Sequence, residues 1–219
     1  MELLIFDLDG TLIDSGSDLA LATNATLKHM KRPPIDEKTV NSYVGDGAAM
    51  LVKRALGADI SESEFDEAIG YFIDFYRSHA LVNTRFYPGV KETLAELDER
   101  RYRMAVLTNK PEKISQDILR ELGVAKYFFR VYGGNSFPSK KPDPIGIHTL
   151  LKEAAVGHSA AMMIGDTNVD IRTARNAHVT ACGVTWGFKP ESLNDPAPDF
   201  LLDKFADLLT LCPPHMALR

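Results

Sequence analysis

Leu3-Leu4-Ile5-Phe6-Asp7-Leu8-Asp9-Gly10-Thr11 is the stretch whose reading decides the fold. Four large apolar residues run straight into an acid, a second acid two positions on, and a glycine. A continuous apolar run of this kind suits a parallel strand covered on both faces, whereas a half-exposed antiparallel strand would alternate. Met104–Thr108, Phe128–Tyr132, Ala161–Ile164 and Thr180–Val184 repeat the pattern. Helical periodicity fills the spaces between the later runs, over Gly89–Arg101, Pro111–Leu122, Pro144–Ala155 and Asn168–Ala177. In the second of these, Pro111 suits the first helical position, Ile114, Ile118, Leu119 and Leu122 form an apolar stripe, and Gly123 ends it. Strand alternating with helix predicts an open α/β fold built on a parallel sheet with right-handed crossovers.

The first strand and the second are separated by about a hundred residues, against a usual crossover of a dozen or more. Ser17–Met30, Gly47–Leu56 and Glu62–Leu81 read as helices there, broken at Arg32-Pro33-Pro34, Gly45-Asp46-Gly47 and Gly57-Ala58-Asp59. The expected organisation is a catalytic core from residues 1–14 and 83–219, with a helical unit inserted over 15–82.

Composition narrows the class. Of 219 residues, 45% are hydrophobic and 25% charged, with 25 Lys+Arg against 30 Asp+Glu and a net charge of −5. That is ordinary globular composition and excludes disorder, collagen and coiled-coil fibre. The mild acidity offers no electrostatic footing for nucleic acid or an anionic membrane. No apolar run approaches the roughly 20 residues that span a bilayer. Met1–Asp7 has neither a basic segment nor a long apolar one, so it does not read as a signal peptide, and the expected location is the cytoplasm. Cys182 and Cys212 are too few for a disulfide scaffold. Asn24-Ala25-Thr26 matches a glycosylation sequon by chance, inside a helical pattern.

In open α/β sheets, ligands bind outside the carboxyl ends of the strands. Here those ends carry Asp7-Leu8-Asp9-Gly10-Thr11, Thr108-Asn109-Lys110 and Gly165-Asp166-Thr167-Asn168-Val169-Asp170, and the third strand leads into Lys140-Lys141-Pro142. So many carboxylates at one sheet edge repel one another unless something neutralises them. Mg²⁺ is the natural partner, since it takes one or two carboxylates together with waters and a phosphate. Lys141 adds positive charge, and Thr108 and Asn109 offer donors suited to phosphoryl oxygens. Asp166 and Asp170, four apart at a helix start, can face one point.

Asp7-x-Asp9-Gly10-Thr11, Thr108-Asn109, Lys141-Pro142 and Gly165-Asp166-x-x-x-Asp170, in that order, resemble the four motifs of the haloacid dehalogenase-like hydrolases. The resemblance spans essentially the whole chain and includes a helical cap inserted after the first motif into a Rossmann-like core. Val44-Gly45-Asp46-Gly47, Thr108-Asn109-Lys110-Pro111 and Val184-Thr185-Trp186-Gly187 are similar to the phosphoglycolate phosphatase-like branch. The resemblance implies Asp7 as nucleophile, forming an aspartyl-phosphate. It implies Asp9 as general acid and then base. Mg²⁺ is expected on Asp7, the main-chain carbonyl of Asp9, and Asp166, with Asp170 behind it holding metal waters or Lys141. Thr108, the main-chain N–H of Asn109, and Lys141 are expected to hold the phosphoryl group. Gly45, Asp46 and Gly47 are candidate specificity residues whose N–H groups would meet a substrate carboxylate. The implied substrate is a small phosphorylated metabolite, 2-phosphoglycolate first, for a monomer or homodimer. Relatives that cleave a carbon–phosphorus bond, and the dehalogenases, lack the acid at the position of Asp9.

Other readings stand beside these. Asp46 reads as the N-cap of the helix after it. Lys110 stays open between substrate contact and solvent, whereas Lys140 reads as surface. Phe65, Phe72, Phe75 and Tyr76 read as core of the insertion. Histidines 29, 79, 148, 158, 178 and 215 show no metal-ligand spacing. His178 stands where the family commonly has a small residue, often glycine, and is tolerable in a left-handed conformation. Cys182 reads as a small buried hydrophobe, and the tail from Cys212 is expected to fray. Rival functions are a phosphatase for another ester, nucleotide or pyrophosphate, a sugar phosphomutase of the same fold, and a phospho-accepting signalling or binding module.

Overall fold

The structure, a computed structural model, describes residues 1–214. Six strands form the main sheet: β1 (Leu3–Phe6), β2 (Arg103–Leu107), β3 (Phe128–Tyr132), β4 (Ala161–Gly165), β5 (Thr180–Val184) and β6 (Phe200–Leu202). All neighbours pair in parallel, in the spatial order 3-2-1-4-5-6 counted within this sheet. The fold is therefore the expected α/β, Rossmann-like one. Strand β6 escapes the hydrophobic pattern because it has three residues and follows the loop-like run Asn194-Asp195-Pro196-Ala197-Pro198.

The helices are α1 (Gly16–His29), α2 (Glu37–Ser42), α3 (Ala48–Leu56), α4 (Glu62–His79), α5 (Val90–Glu99), α6 (Glu112–Glu121), α7 (Ile145–Ala154), α8 (Asn168–Asn176) and the short α9 (Leu208–Leu211). Side chains alternate across the sheet and feed two apolar layers. Leu4, Phe6, Met104, Val106, Met162 and Ile164 pack with α5, α6 and α9. Leu3, Ile5, Ala105, Leu107 and Met163 pack with α7 and α8 on the other face. Pro111 caps α6 from outside, with ψ 135°, so the helix starts one residue later than its pattern suggests.

Helices α1–α4 pack on one another between two short segments, Ile13–Asp14 and Arg85–Phe86, that pair antiparallel. Phe72 and Tyr76 are buried there, and Phe65 and Phe75 are partly buried against the same core. Asn24 sits on α1 with its amide committed to the main chain of Ile35. Helix α2, only six residues long, was not expected from the pattern; Asp36 caps it. No helix among the described residues is long and apolar enough to cross a membrane.

Two local expectations need correction. Gly47, at φ 87°, takes the N-cap position of α3, and the Asp46 carboxylate turns away to pair with Arg54 Nη2 at 2.6 Å. The first residues of the tail are anchored where fraying is expected from Cys212 on: Cys212 is buried, its carbonyl accepts from Arg100 Nη1 at 2.7 Å, and that of Pro213 accepts from the Tyr102 hydroxyl at 2.8 Å. His215 and the residues after it lie outside the described residues. His178 does adopt the left-handed conformation, at φ 54°.

Candidate active site

The register of the sheet sets the site. Phe6 lies opposite Val106 on β2 and Ile164 on β4, so Asp7 leaves β1 level with the ends of both neighbours. Its N–H donates to the Ile164 carbonyl at 2.9 Å. Asp166 follows β4 directly, Asp170 occupies the first turn of α8, and Lys141 comes from the loop after β3. Asp7, Asp166 and Asp170 each offer a carboxylate oxygen within 4.8 Å of the others. Lys141 Nζ stands 2.6 Å from Asp170 Oδ1 and 2.9 Å from Asp7 Oδ1. All four residues are buried.

Glycines make this density possible. A Cβ at Gly10, or at Gly187 in the loop after β5, would overlap the Asp166 carboxylate, and one at Gly165 would overlap that of Asp170. Asp166 is further fixed by the Phe188 N–H at 2.9 Å and the Thr11 hydroxyl at 3.3 Å. Asp170 Oδ2 accepts from the Thr167 N–H and hydroxyl at 3.1 and 2.9 Å.

Three buried acids and one lysine carry a formal charge of −2. Burial, then the charge of Asp170, pushes the Asp7 carboxyl up to about 6 against the pull of Lys141. Burial and the charges of Asp170 and Asp7 hold Asp166 well above the usual carboxylate range. Burial works to lower the Lys141 ammonium, but Asp170 and Asp7 outweigh it and the net shift is upward. Asp7 Oδ1 has only the Lys141 ammonium beside it, at 2.9 Å, and no other donor among the described residues. A buried carboxylate oxygen left so is costly, and an oxygen-seeking divalent cation would satisfy it and balance the charge. The donor set therefore fits Mg²⁺.

Asp9 stands apart from this group. Its carboxylate accepts from Ser15 Oγ at 2.6 Å and from Lys110 Nζ at 2.8 and 3.0 Å. Lys110 is thus buried in an ion pair and not solvated, and it lines the cleft beside Asp9. Burial lowers its ammonium, yet Asp9 and Tyr76 raise it by more. Thr108 is buried one residue beyond β2. The Asn109 side chain is a clip: Nδ2 donates to the Gly45 carbonyl at 2.9 Å and to that of Lys141 at 3.2 Å, and Oδ1 accepts from the Lys141 N–H at 3.0 Å.

A cleft opens over Asp7, Asp9 and Thr108, roofed by Gly45, Gly47, Phe72 and Tyr76 from the helical unit. The structure thus brings together every expected site residue except Asp46, which points to Arg54. Sequence reasoning missed Ser15, the pairing of Lys110 with Asp9 and Tyr76, and the bridging role of the Asn109 amide. Lys110 carried one legible signal, its place at the end of a strand beside Thr108 and Asn109.

The comparisons agree with this geometry. A family model described as Haloacid dehalogenase-like hydrolase matches residues 4–184. A phosphoglycolate phosphatase of Vibrio parahaemolyticus is 40% identical over 216 residues, 95% of each chain. One of Pseudomonas putida is 36% identical over 217 residues, 96% of this chain and 79% of that one. The crystal structure of a predicted phosphoglycolate phosphatase from Haemophilus somnus superposes with a TM-score of 0.92 at 34% identity, covering 97% of this chain and 98% of that one. With its motifs converging in space as well as in order, the chain belongs to the haloacid dehalogenase-like hydrolases.

Proposed function

We propose that this phosphatase hydrolyses small phosphomonoesters through a phosphorylated Asp7, with 2-phosphoglycolate as its leading substrate. The observation that carries the reading is the buried group of Asp7, Asp166, Asp170 and Lys141 beneath a narrow cleft, with Asp9 at its side. In this reading the Asp7 carboxylate, beside Lys141 at the end of the central strand, attacks phosphorus. Asp9 gives its proton to the leaving oxygen and then activates water for breakdown of the acyl phosphate. Thr108, the Asn109 main-chain N–H, and Lys141 hold the phosphoryl oxygens where charge develops.

Asp7, the Asp9 carbonyl and Asp166 would hold Mg²⁺, with Asp170 fixing Lys141 behind them. When bound, Mg²⁺ offsets phosphoryl charge as a Lewis acid. The helices of 15–82 act as a cap domain that shuts out bulk water.

For the substrate, support comes from the names of the relatives and from the cleft, which is closed over by Val44, Gly45, Gly47 and Tyr76 and so suits a compact ligand. The N–H groups at the start of α3, beside Gly45 and Gly47, face a substrate carboxylate in this reading.

The test is phosphate release from 2-phosphoglycolate, sugar phosphates, nucleotides, pyrophosphate and p-nitrophenyl phosphate, with Mg²⁺ and with chelator. A preference for 2-phosphoglycolate of about 10²-fold, about 2.7 kcal/mol, is expected. Chelation should remove nearly all turnover and added Mg²⁺ restore it. Broad weak hydrolysis would withdraw the substrate, and transfer to an added sugar phosphate in preference to water would make the protein a mutase. Gly187→Ala should lower kcat by about 10²-fold by displacing Asp166. Unchanged kcat in that variant would show that the position of Asp166 is not critical.

A further inference from the structure

Lys110 has no part in the reaction as set out above, yet its side chain is 3% exposed and sits where the core meets α4. Its ammonium donates to both Asp9 carboxylate oxygens, at 2.8 and 3.0 Å, and to the Tyr76 hydroxyl at 2.6 Å. Three oxygens match the three donors of an ammonium. That arrangement engages every donor of Lys110 although the residue lines the cleft, so its pairing with Asp9 comes before any contact with a ligand. Tyr76 is itself 1% exposed on α4, in the helical unit. Ser15 Oγ, at the entry to α1, holds Asp9 Oδ1 from the other side at 2.6 Å.

We infer that Lys110 is a positioning residue for Asp9, and that Tyr76 anchors it, so that the seating of α4 sets the aim of the Asp9 carboxyl. The inference rests on the reading of Asp9 as the proton donor. In that step, entered after Asp9 has taken up a proton from solvent, a bond forms between an Asp7 oxygen and phosphorus, the bond from phosphorus to the alkyl oxygen breaks, and the Asp9 proton passes to the departing oxygen. The Asp9 carboxylate left behind faces the Lys110 ammonium through charge-assisted hydrogen bonds. A proton donor that swings by about 1 Å loses much of its advantage, on the order of 10²-fold.

The test compares kcat/KM for three substrates, since that ratio covers the steps through formation of the phosphoenzyme. 2-Phosphoglycolate and ethyl phosphate both release alkoxides that need the proton, and only the first has a carboxylate. p-Nitrophenyl phosphate releases a phenolate that leaves without one. Lys110→Met is expected to cost about 10²-fold on both alkyl esters and less than about fivefold on p-nitrophenyl phosphate. Tyr76→Phe, which keeps the ring and its packing, should show the same selectivity with a smaller loss.

Loss confined to 2-phosphoglycolate would overturn the inference in favour of a carboxylate contact. Equal loss on all three would reduce Lys110 to structural support, and no loss would leave it without the role. Asp9→Asn separates the two levels. If it spares p-nitrophenyl phosphate and not the alkyl esters, the reading of Asp9 stands whatever Lys110 does. If it affects all three equally, or none, both fall.

Discussion

Asp7→Asn is expected to lower phosphate release by roughly 10⁴-fold or more while leaving the fold at least as stable as the wild type. The amide cannot form the acyl phosphate, and Asp9, held toward Ser15 and Lys110, is not placed to substitute. Stability should move the other way. Wild-type Asp7 is buried beside Asp166 and Asp170 with its carboxyl raised to about 6, so its charged form opposes folding at neutral pH. The sign follows from linkage. Between the unfolded value of about 3.9 and about 6, the folded state binds more protons, so stability from this group falls as pH rises. Metal-free wild type should therefore gain thermal stability as pH drops from 7 toward 4.5, and Asp7→Asn should gain less. Thermal melts in chelator across that range, alongside a phosphate-release assay at pH 7, give both readouts. Near-wild-type turnover in a contamination-free preparation would end the covalent mechanism.

That prediction uses residues the sequence already exposed, and the reason is physical. Asp7, Thr108 and Asp166 each stand at the end of a buried apolar run, where strand geometry alone sends successive residues out at a common edge. Their chemistry is legible one strand at a time. Lys110 is different, because a lysine beside a motif is most simply solvated until its partner is known. That partner, Tyr76, is 34 residues earlier on a helix whose aromatic spacing says only that it is packed. Asp46 failed for a local reason: an acid before a helix reads as a cap, but the positive φ of Gly47 moves the cap by one residue. What the sequence leaves dark is contact between elements joined by no pattern, and the function proposed here depends on several such contacts.

Asp18 is the strongest of these for stability. It occupies the first turn of α1, is fully buried, and accepts the main-chain N–H of Asn83 at 2.9 and 3.0 Å and of Thr84 at 2.8 Å. The Asn83 amide and the Thr84 hydroxyl add bonds at 2.9 and 2.8 Å. One carboxylate thus ties the chain entering the helical unit to the chain leaving it, beside the short pairing of Ile13–Asp14 with Arg85–Phe86. Burial raises its pKa, but the donors from Thr84 and Asn83 together outweigh that and lower it. Asp18→Ala would leave the two buried Thr84 donors without acceptors at about 1–3 kcal/mol each, so a total near 4 kcal/mol is expected. At roughly 2–4 °C per kcal/mol for a chain of this size, Tm should fall by about 10 °C. Asp18→Asn keeps the shape and one acceptor, and should lose about half as much. For a depressed carboxylate, the stabilisation is complete above the unfolded pKa and disappears as pH falls through the folded one. The gap in Tm between wild type and Asp18→Asn should therefore be constant from about pH 5 to 8 and narrow below about pH 4. A melting series that finds Asp18→Ala within 2 °C of wild type at pH 7 would mean that the ladder alone holds the two crossings together, and that the buried carboxylate is replaceable by water.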